Sequence, residues 1–229
     1  MMSPPSEAPA AADGFPITLV LQRIAEACRA WPAPAIDALP AATPFRVLIA
    51  TVLSLRTRDT VTAPVAARLF AHADTPAALL ACSPDELAAL IRPVGFYRTK
   101  ARQIHAICRL LLDQHDGAVP SELEALLALP GVGRKTANLT LTAGFGLPGI
   151  CVDVHVHRIC NRWGYVATSD PDATELVLRR ILPAHHWAEI NRLLVAFGQN
   201  LCLPRSPHCE RCPVSAWCAR RGVMARARR

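Results

Sequence analysis

Lys135 is one of two lysines in the 229-residue chain, Lys100 being the other, and every remaining strongly basic side chain is arginine. It sits inside Leu129-Pro130-Gly131-Val132-Gly133-Arg134-Lys135-Thr136-Ala137. A G-x-G turn that enters a helix presents backbone N–H groups at the helix start, where the macrodipole also favours an anion, so this nonapeptide can seat one phosphate. Lys135 would stand beside that phosphate. A guanidinium does not deprotonate and cannot add to a carbon as a free amine, whereas a lysine can. Lys135 is therefore a candidate nucleophile; the alternative is that it only contacts a nucleic-acid backbone.

The nine cysteines form two populations. Cys28, Cys82, Cys108, Cys151 and Cys160 are scattered among apolar residues, where cysteine usually acts as a small buried hydrophobe. Cys202, Cys209, Cys212 and Cys218 instead follow the spacing C-x6-C-x2-C-x5-C in a proline-containing segment with little periodicity. Four thiolates so close in sequence can wrap one metal centre. Structural zinc sites usually show two short C-x2-4-C knuckles, and only Cys209 and Cys212 make one here. A cubane iron–sulfur cluster tolerates wider loops because its irons are spread over a larger body, so the spacing favours it over zinc. The odd cysteine count and the lack of an export signal argue against a disulfide framework.

These groups need a scaffold, and 229 residues suffice for one or two domains with a good core. The formal net charge of +7 and pI near 9.2 point toward polyanions. Hydrophobic residues make up 52%, but no run of about 18 apolar residues is free of charge or proline, so no membrane span is expected. Residues 1–14 are rich in Ala and Pro, carry two acids and lack a basic stretch; they read as a flexible tail rather than a signal peptide, which implies a cytosolic location.

Helical punctuation dominates the rest. Ser83-Pro84-Asp85-Glu86 and Ser121-Glu122-Leu123-Glu124 both match the S-x-x-E capping box, the first with proline at the first helical position. Ile104, Ile107, Cys108 and Leu111 recur at i, i+3, i+4 and i+7, which predicts one apolar stripe on a helix from about Thr99 to Asp113. Asp170-Pro171 predicts another helix start, and glycine- and proline-rich turns at Pro93-Val94-Gly95 and Gly144 to Gly149 separate the elements. Roughly ten helices and no strand pair are expected, hence an all-α architecture.

In this order and separation, three motifs resemble the endonuclease III family of the helix-hairpin-helix superfamily. They are the hairpin Leu129 to Asn138, the segment Val152-Asp153-Val154-His155 with Arg158, Asn161 and Arg162, and the four-cysteine spacing. The resemblance runs from about Thr18 to Cys218. It implies two helical lobes with DNA gripped in the cleft between them. Residues 37–147 would form a six-helix barrel lobe with the helix-hairpin-helix, and 15–36 plus 148–229 an iron–sulfur cluster lobe with a basic C-terminal tail. Cys202, Cys209, Cys212 and Cys218 would hold a 4Fe-4S cluster.

The resemblance also implies a bifunctional DNA glycosylase and abasic-site lyase of base excision repair. Lys135 would attack C1′ of a damaged nucleoside, displace the base and form a Schiff base that acidifies the C2′ proton for β-elimination. Only an unprotonated amine does this, and at an ordinary lysine pKa about one molecule in 2,500 is neutral at pH 7; Arg134 and the positive end of the helix would both disfavour the ammonium. Asp153 would stabilise positive charge on the sugar, and could equally serve as a helix N-cap.

DNA contacts would come from Gly131, Val132, Gly133 and Arg134, from Arg56 and Phe96 filling the space left by a flipped base, and from Tyr97 and His155. Alternatively, Phe96 is a core residue, Arg56 a phosphate anchor and His155 a packed histidine. Arg220, Arg221, Arg226, Arg228 and Arg229 would add non-specific phosphate attraction or simply be solvated. The expected partner is double-stranded DNA with damaged pyrimidines or abasic sites, bound by a monomer without membrane attachment, in the cytoplasm at the nucleoid. The sequence departs from the family at Arg56, where glutamine is common, and at Val154, where threonine is common; the first bears on lesion range and opposite-base preference. Two rival functions are a mismatch adenine glycosylase, against which stand Lys135 and Thr51 at the place of that branch's catalytic glutamate, and a non-catalytic DNA-binding protein.

Overall fold

The structure is a computed structural model that describes residues 14–31 and 43–223. The expected tail, apart from Gly14, and Arg226, Arg228 and Arg229 lie outside the described residues. Among the described residues the chain folds into eleven α-helices joined by turns, short 3-10 segments and one π-turn, with no strand. Its contacts divide it into two compact units, Ala33–Cys151 and Met1–Pro32 with Val152–Arg229.

The unit Ala33–Cys151 is built around α2 (Pro44–Ser54), on which every residue from Val47 to Leu53 is buried. A helix that is apolar all round needs neighbours all round. They are α3 (Asp59–His72), α6 (Tyr97–His115), α8 (Arg134–Leu139) and the π-turn Thr140–Gly144. Two short helices, α4 (Pro76–Ala81) and α5 (Pro84–Leu90), pack on α6, and α7 (Leu123–Leu127) packs on α8. The apolar stripe of α6 is the expected one, with Ile104, Ile107, Cys108 and Leu111 fully buried, and the helix extends two residues further at each end.

Helix starts follow a common recipe of a polar cap followed by proline. Thr43, Thr75 and Ser83 each accept a backbone N–H with their hydroxyl oxygen, ahead of Pro44, Pro76 and Pro84. Ser83 and Glu86 complete the reciprocal capping box, Ser83 N–H donating to Glu86 Oε2 at 2.7 Å. The second expected box does not form. Helix α7 starts one residue later than that motif requires, with Glu122 as N-cap, and the Ser121 hydroxyl donates to the Glu122 carboxylate instead of capping backbone. In a five-residue helix the competing local bond wins.

In the other unit, α1 (Ile17–Cys28) and α9 (Val154–Trp163) both pack on α11 (Ile190–Asn200), and α9 also meets α10 (Pro171–Ile181). Asp170 caps α10 as expected, accepting Ala173 N–H at 2.8 Å. Helices α9 and α11 approach closely at Gly198. A Cβ there would lie 2.4 Å from His155 Nδ1 and 2.9 Å from Arg158 Nη2.

Overpacking of this kind is relieved only by shifting neighbours. Gly198→Ala should destabilise the protein by about 1–3 kcal/mol, read as a lower apparent midpoint of chemical denaturation; an unchanged midpoint would show that His155 and Arg158 yield without loss.

Candidate functional site

The hairpin begins where α7 ends. Leu129 and Val132 are buried and anchor it, Val132 N–H bonds Leu129 O at 3.1 Å, and Gln103 on α6 donates to Pro130 O at 3.1 Å. The two glycines do different work. Gly131 has φ +68°, and a Cβ there would strike the Gln103 amide at 2.5 Å, so the turn itself requires glycine. Gly133 is the N-cap of α8 with φ −93°, and a Cβ there would meet nothing within 4 Å. Nothing in the fold demands glycine at 133. No side chain caps the N-terminus of α8, which is the arrangement that suits an external anion.

Lys135 is the second residue of α8, half-buried, its carbonyl accepting from Cys151 Sγ at 3.7 Å. Behind it, Asn138 and Thr140 bond back to the carbonyls of Arg134 and Thr136, and α8 passes into the π-turn. Lys100 is the contrasting lysine. Burial brings its pKa down to about 8, but its side chain is only 5% exposed. Its ammonium donates to Leu53 O at 2.8 Å, to Leu55 O, and to Thr57 Oγ1 at 3.1 Å. With all three N–H groups engaged, it offers no lone pair to an incoming carbon.

Arg56 and Phe96 come together in the same unit. Both adopt left-handed backbone, φ +56° and +57°, and the Arg56 guanidinium carbon lies 4.5 Å from the centre of the Phe96 ring. Phe96 is 56% exposed, so it is not a core residue. An exposed, strained aromatic under a cation is a poor contribution to stability and a good one to recognition. Tyr97 opens α6 half-buried, with the guanidinium carbons of Arg92 and Arg98 at 5.3 and 5.6 Å from its ring. Thr51 is fully buried and its hydroxyl donates to Val47 O at 2.7 Å, so α2 presents no catalytic carboxylate at that position.

The remaining candidates belong to the other unit. Asp153, 7% exposed, is the N-cap of α9, and its Oδ1 accepts His155 N–H at 2.8 Å and Val156 N–H at 3.0 Å. Val154, beside it, is exposed. His155 Nδ1 lies 3.2 Å from Arg158 Nη2, within reach of a guanidinium that only donates.

Arg158 continues to Gly198 O at 3.3 Å and Cys202 O at 3.0 Å, and Arg162, 5% exposed, donates to Cys202 Sγ at 3.2 Å, Leu203 O at 2.8 Å and Pro204 O at 3.0 Å. The importance of Arg158 beyond its motif position was not legible in the sequence, because its partners are mostly backbone carbonyls.

None of the nine cysteines forms a disulfide. Cys108, Cys151 and Cys160 are buried, and burial pushes the Cys108 thiol up to about 12 and raises Cys160 as well, the behaviour of inert packing residues. Cys202, Cys209, Cys212 and Cys218 interact with one another instead. Burial, reinforced by repulsion from Cys202, Cys218 and Cys209, pushes Cys212 up to about 11. Among the described residues no three His, Cys, Asp or Glu side chains group tightly enough to hold a single metal ion. Four cysteines between 202 and 218 offer one thiolate for each iron of a 4Fe-4S cluster. The guanidiniums of half-buried Arg158 and buried Arg162 beside Cys202 supply positive charge that such an anionic centre balances.

Residues 49–184 match the family model of the HhH-GPD superfamily base excision DNA repair protein, and residues 202–218 that of the iron-sulfur binding domain of endonuclease III. The chain is 49% identical over 175 residues to endonuclease III of Thermotoga maritima, covering 76% of this chain and 82% of that protein. It is 39% identical to endonuclease III of Escherichia coli, with 76% and 83% covered. Against the chloroplastic endonuclease III homolog 2 of Arabidopsis thaliana it is 43% identical, with 76% of this chain but 47% of the relative covered. Among solved structures it is similar to a trapped endonuclease III–DNA covalent intermediate, with TM-score 0.81, 36% identity, and 89% and 94% of the two chains covered. A thermostable thymine-DNA glycosylase, at TM-score 0.78 and 24% identity over 88% and 94% of the chains, shares the fold. The chain belongs to the endonuclease III family of HhH-GPD base excision DNA repair proteins, DNA glycosylases with abasic-site lyase activity that carry a 4Fe-4S cluster.

Proposed function

We propose that this chain removes oxidised pyrimidines from double-stranded DNA and cuts the strand at the resulting abasic site, with Lys135 as the nucleophile. What carries the reading is a lysine on the first turn of a helix whose glycine cap, Gly133, leaves room for a phosphate. The Lys135 amine adds to C1′, the glycosidic bond breaks, and the base departs with a proton. Opening of the sugar ring gives a protonated Schiff base, which acidifies C2′–H; loss of that proton expels the 3′ phosphate by β-elimination. Asp153 stabilises positive charge on the sugar while the glycosidic bond breaks. Its tight capping of α9 fixes the carboxylate in place, so one side chain serves both purposes.

Gly131, Val132, Gly133 and Arg134 hold one DNA phosphate. Arg56 and Phe96 fill the space vacated by the flipped nucleotide, with Tyr97 and His155 as flanking contacts. The charged, exposed Arg56 in place of glutamine makes it the residue that sets opposite-base preference in this chain. Cys202, Cys209, Cys212 and Cys218 hold the 4Fe-4S cluster, which when bound fastens the loops between them to one another. The protein acts as a monomer, in the cytoplasm at the nucleoid. No helix among the described residues is long and apolar enough to cross a membrane.

Borohydride trapping on abasic DNA tests the nucleophile. Lys135→Gln should abolish both trapping and strand cleavage while abasic-DNA binding persists, because the amide keeps length and polarity but cannot form an imine. Asp153→Asn should lower base excision by about 100-fold or more yet retain some cleavage of preformed abasic sites. Trapping that survives in Lys135→Gln would remove the lysine from the chemistry.

The hairpin reading separates its two glycines. Gly133→Ala should leave stability unchanged and weaken DNA binding, by hindering the approach of the phosphate, with the steep salt dependence of counterion release retained. Gly131→Ala should lower stability as well, through its positive φ and the Gln103 clash. Equal DNA affinity of Gly133→Ala and the parent would place the phosphate elsewhere.

Purified aerobically, the protein should be yellow-brown with about four irons and four sulfides per chain. Cys212→Ser should reduce folded yield more than turnover per folded molecule. Stoichiometric zinc in protein made with ample iron would contradict the assignment.

A further inference from the structure

We infer that Lys100 is a positioning residue: together with Thr57 it locks two turns into one rigid mount for Arg56 and Phe96, so that the pair is set before DNA arrives. The inference rests on the reading of Arg56 and Phe96 as the residues that fill the vacated space.

The first turn follows α2. Where the chain turns left-handed at Arg56, the carbonyls of Leu53 and Leu55 lose the helical partners they would otherwise have, and both are taken by the Lys100 ammonium. The second turn precedes α6 and places Phe96, also left-handed, directly before it. Lys100 holds this turn as well, its backbone N–H donating to Phe96 O at 3.0 Å. One residue thus grips the Arg56 turn with its side chain and the Phe96 turn with its backbone.

Thr57 closes the clasp. Its Oγ1 accepts from Lys100 Nζ at 3.1 Å and from Gly95 N–H at 3.2 Å. The two backbones nearly touch there, since a Cβ on Gly95 would lie 3.1 Å from Arg56 O and 3.4 Å from Thr57 Oγ1.

Packing alone does not call for lysine at this buried place, where methionine or leucine would fill the same space without the cost of burying a charge. A lysine brings three donors on a flexible stem and no acceptor, which matches two carbonyls and a hydroxyl. The consequence is preorganisation: two exposed side chains on strained backbone keep one geometry, the guanidinium over the ring, without DNA to impose it.

The test places 2-aminopurine opposite a tetrahydrofuran abasic analogue in a duplex, so that entry of the pair unstacks the fluorescent base and raises its emission. The parent protein and Thr57→Ser, which keeps the hydroxyl, should give the full rise at saturation. Lys100→Met and Thr57→Val should give a rise smaller by about fivefold or more, while borohydride trapping on a single-stranded abasic oligonucleotide, which has no opposite base, stays within about twofold of the parent. A full rise in Lys100→Met overturns the proposal, and so does a loss of rise matched by an equal loss of single-strand trapping, which is what general damage to the fold would give. Arg56→Ala and Phe96→Ala distinguish the two levels. If they keep the full rise, the pair does not fill the space, and both readings fail; if they lose it and the Lys100 and Thr57 variants do not, only the clasp fails. Should Lys100→Met not fold, Thr57→Val against Thr57→Ser decides.

Discussion

The unit that carries Asp153 depends on what two arginines of α9 do with carbonyls. From Leu201 to Val223 the chain makes only two 3-10 turns and almost no regular structure, so its backbone polar groups need partners from elsewhere. Arg158 and Arg162 take the carbonyls of Gly198, Cys202, Leu203 and Pro204 together with the Cys202 sulfur. The far end of the segment returns to the same helix. Ala219 and Arg221 donate their N–H groups to Trp163 O and Arg162 O, and Cys218 Sγ lies 3.6 Å from Arg162 O. Both ends of the four-cysteine segment are therefore fastened to the helix whose first residue follows Asp153. The price is two guanidiniums four residues apart, each with a buried Nε that has no partner among the described residues. An anionic cluster between the sulfurs offsets that accumulation of positive charge, which is why the cofactor and the placement of the carboxylate are one structural problem.

The other unit solves a different problem, that of exposing backbone without losing it to solvent disorder. The hairpin is held from behind by Leu129, Val132 and Gln103, and its front is left without a side-chain cap. A protein cap such as Ser or Asp would bond the first-turn N–H groups itself and exclude an external anion, whereas glycine leaves them available. The conformational freedom of glycine matters at 131, where φ is positive; at 133 what matters is the empty space in front of the chain.

Most of the helices were legible in the sequence because their signals are local. Ser83 with Glu86, Asp170 with Pro171 and the stripe from Ile104 to Leu111 each form within one or two turns of chain, and each appears as expected. Ser121 shows the limit of such reading, since the same four-residue pattern is defeated by a bond to the neighbouring glutamate. The site was legible where its chemistry lies in one stretch, as in the hairpin, at Asp153 and among the four cysteines. It was not legible where the partners are backbone atoms far away in sequence. Nothing in the sequence pattern announces that Lys100 reaches carbonyls 45 and 47 residues earlier. Left-handed φ at Arg56 and Phe96 was equally hidden, because neither residue type favours it.

That pair of left-handed residues explains why the surrounding contacts are so dense. Each non-glycine residue held in this region costs about 1–2 kcal/mol, and a cation–π contact at an exposed site returns about 0.5–1 kcal/mol, so the pair cannot hold itself. The difference must come from bonds that exist only in this backbone geometry. The carbonyls of Leu53 and Leu55, the Phe96 carbonyl and the Gly95 N–H are all oriented by the turns, and all are satisfied within a few residues of Lys100 and Thr57. Relaxing either turn would therefore cost hydrogen bonds as it relieved strain. An exposed aromatic ring with a cation stacked on it persists here because of the buried polar contacts beneath it, and its geometry is independent of its own stability.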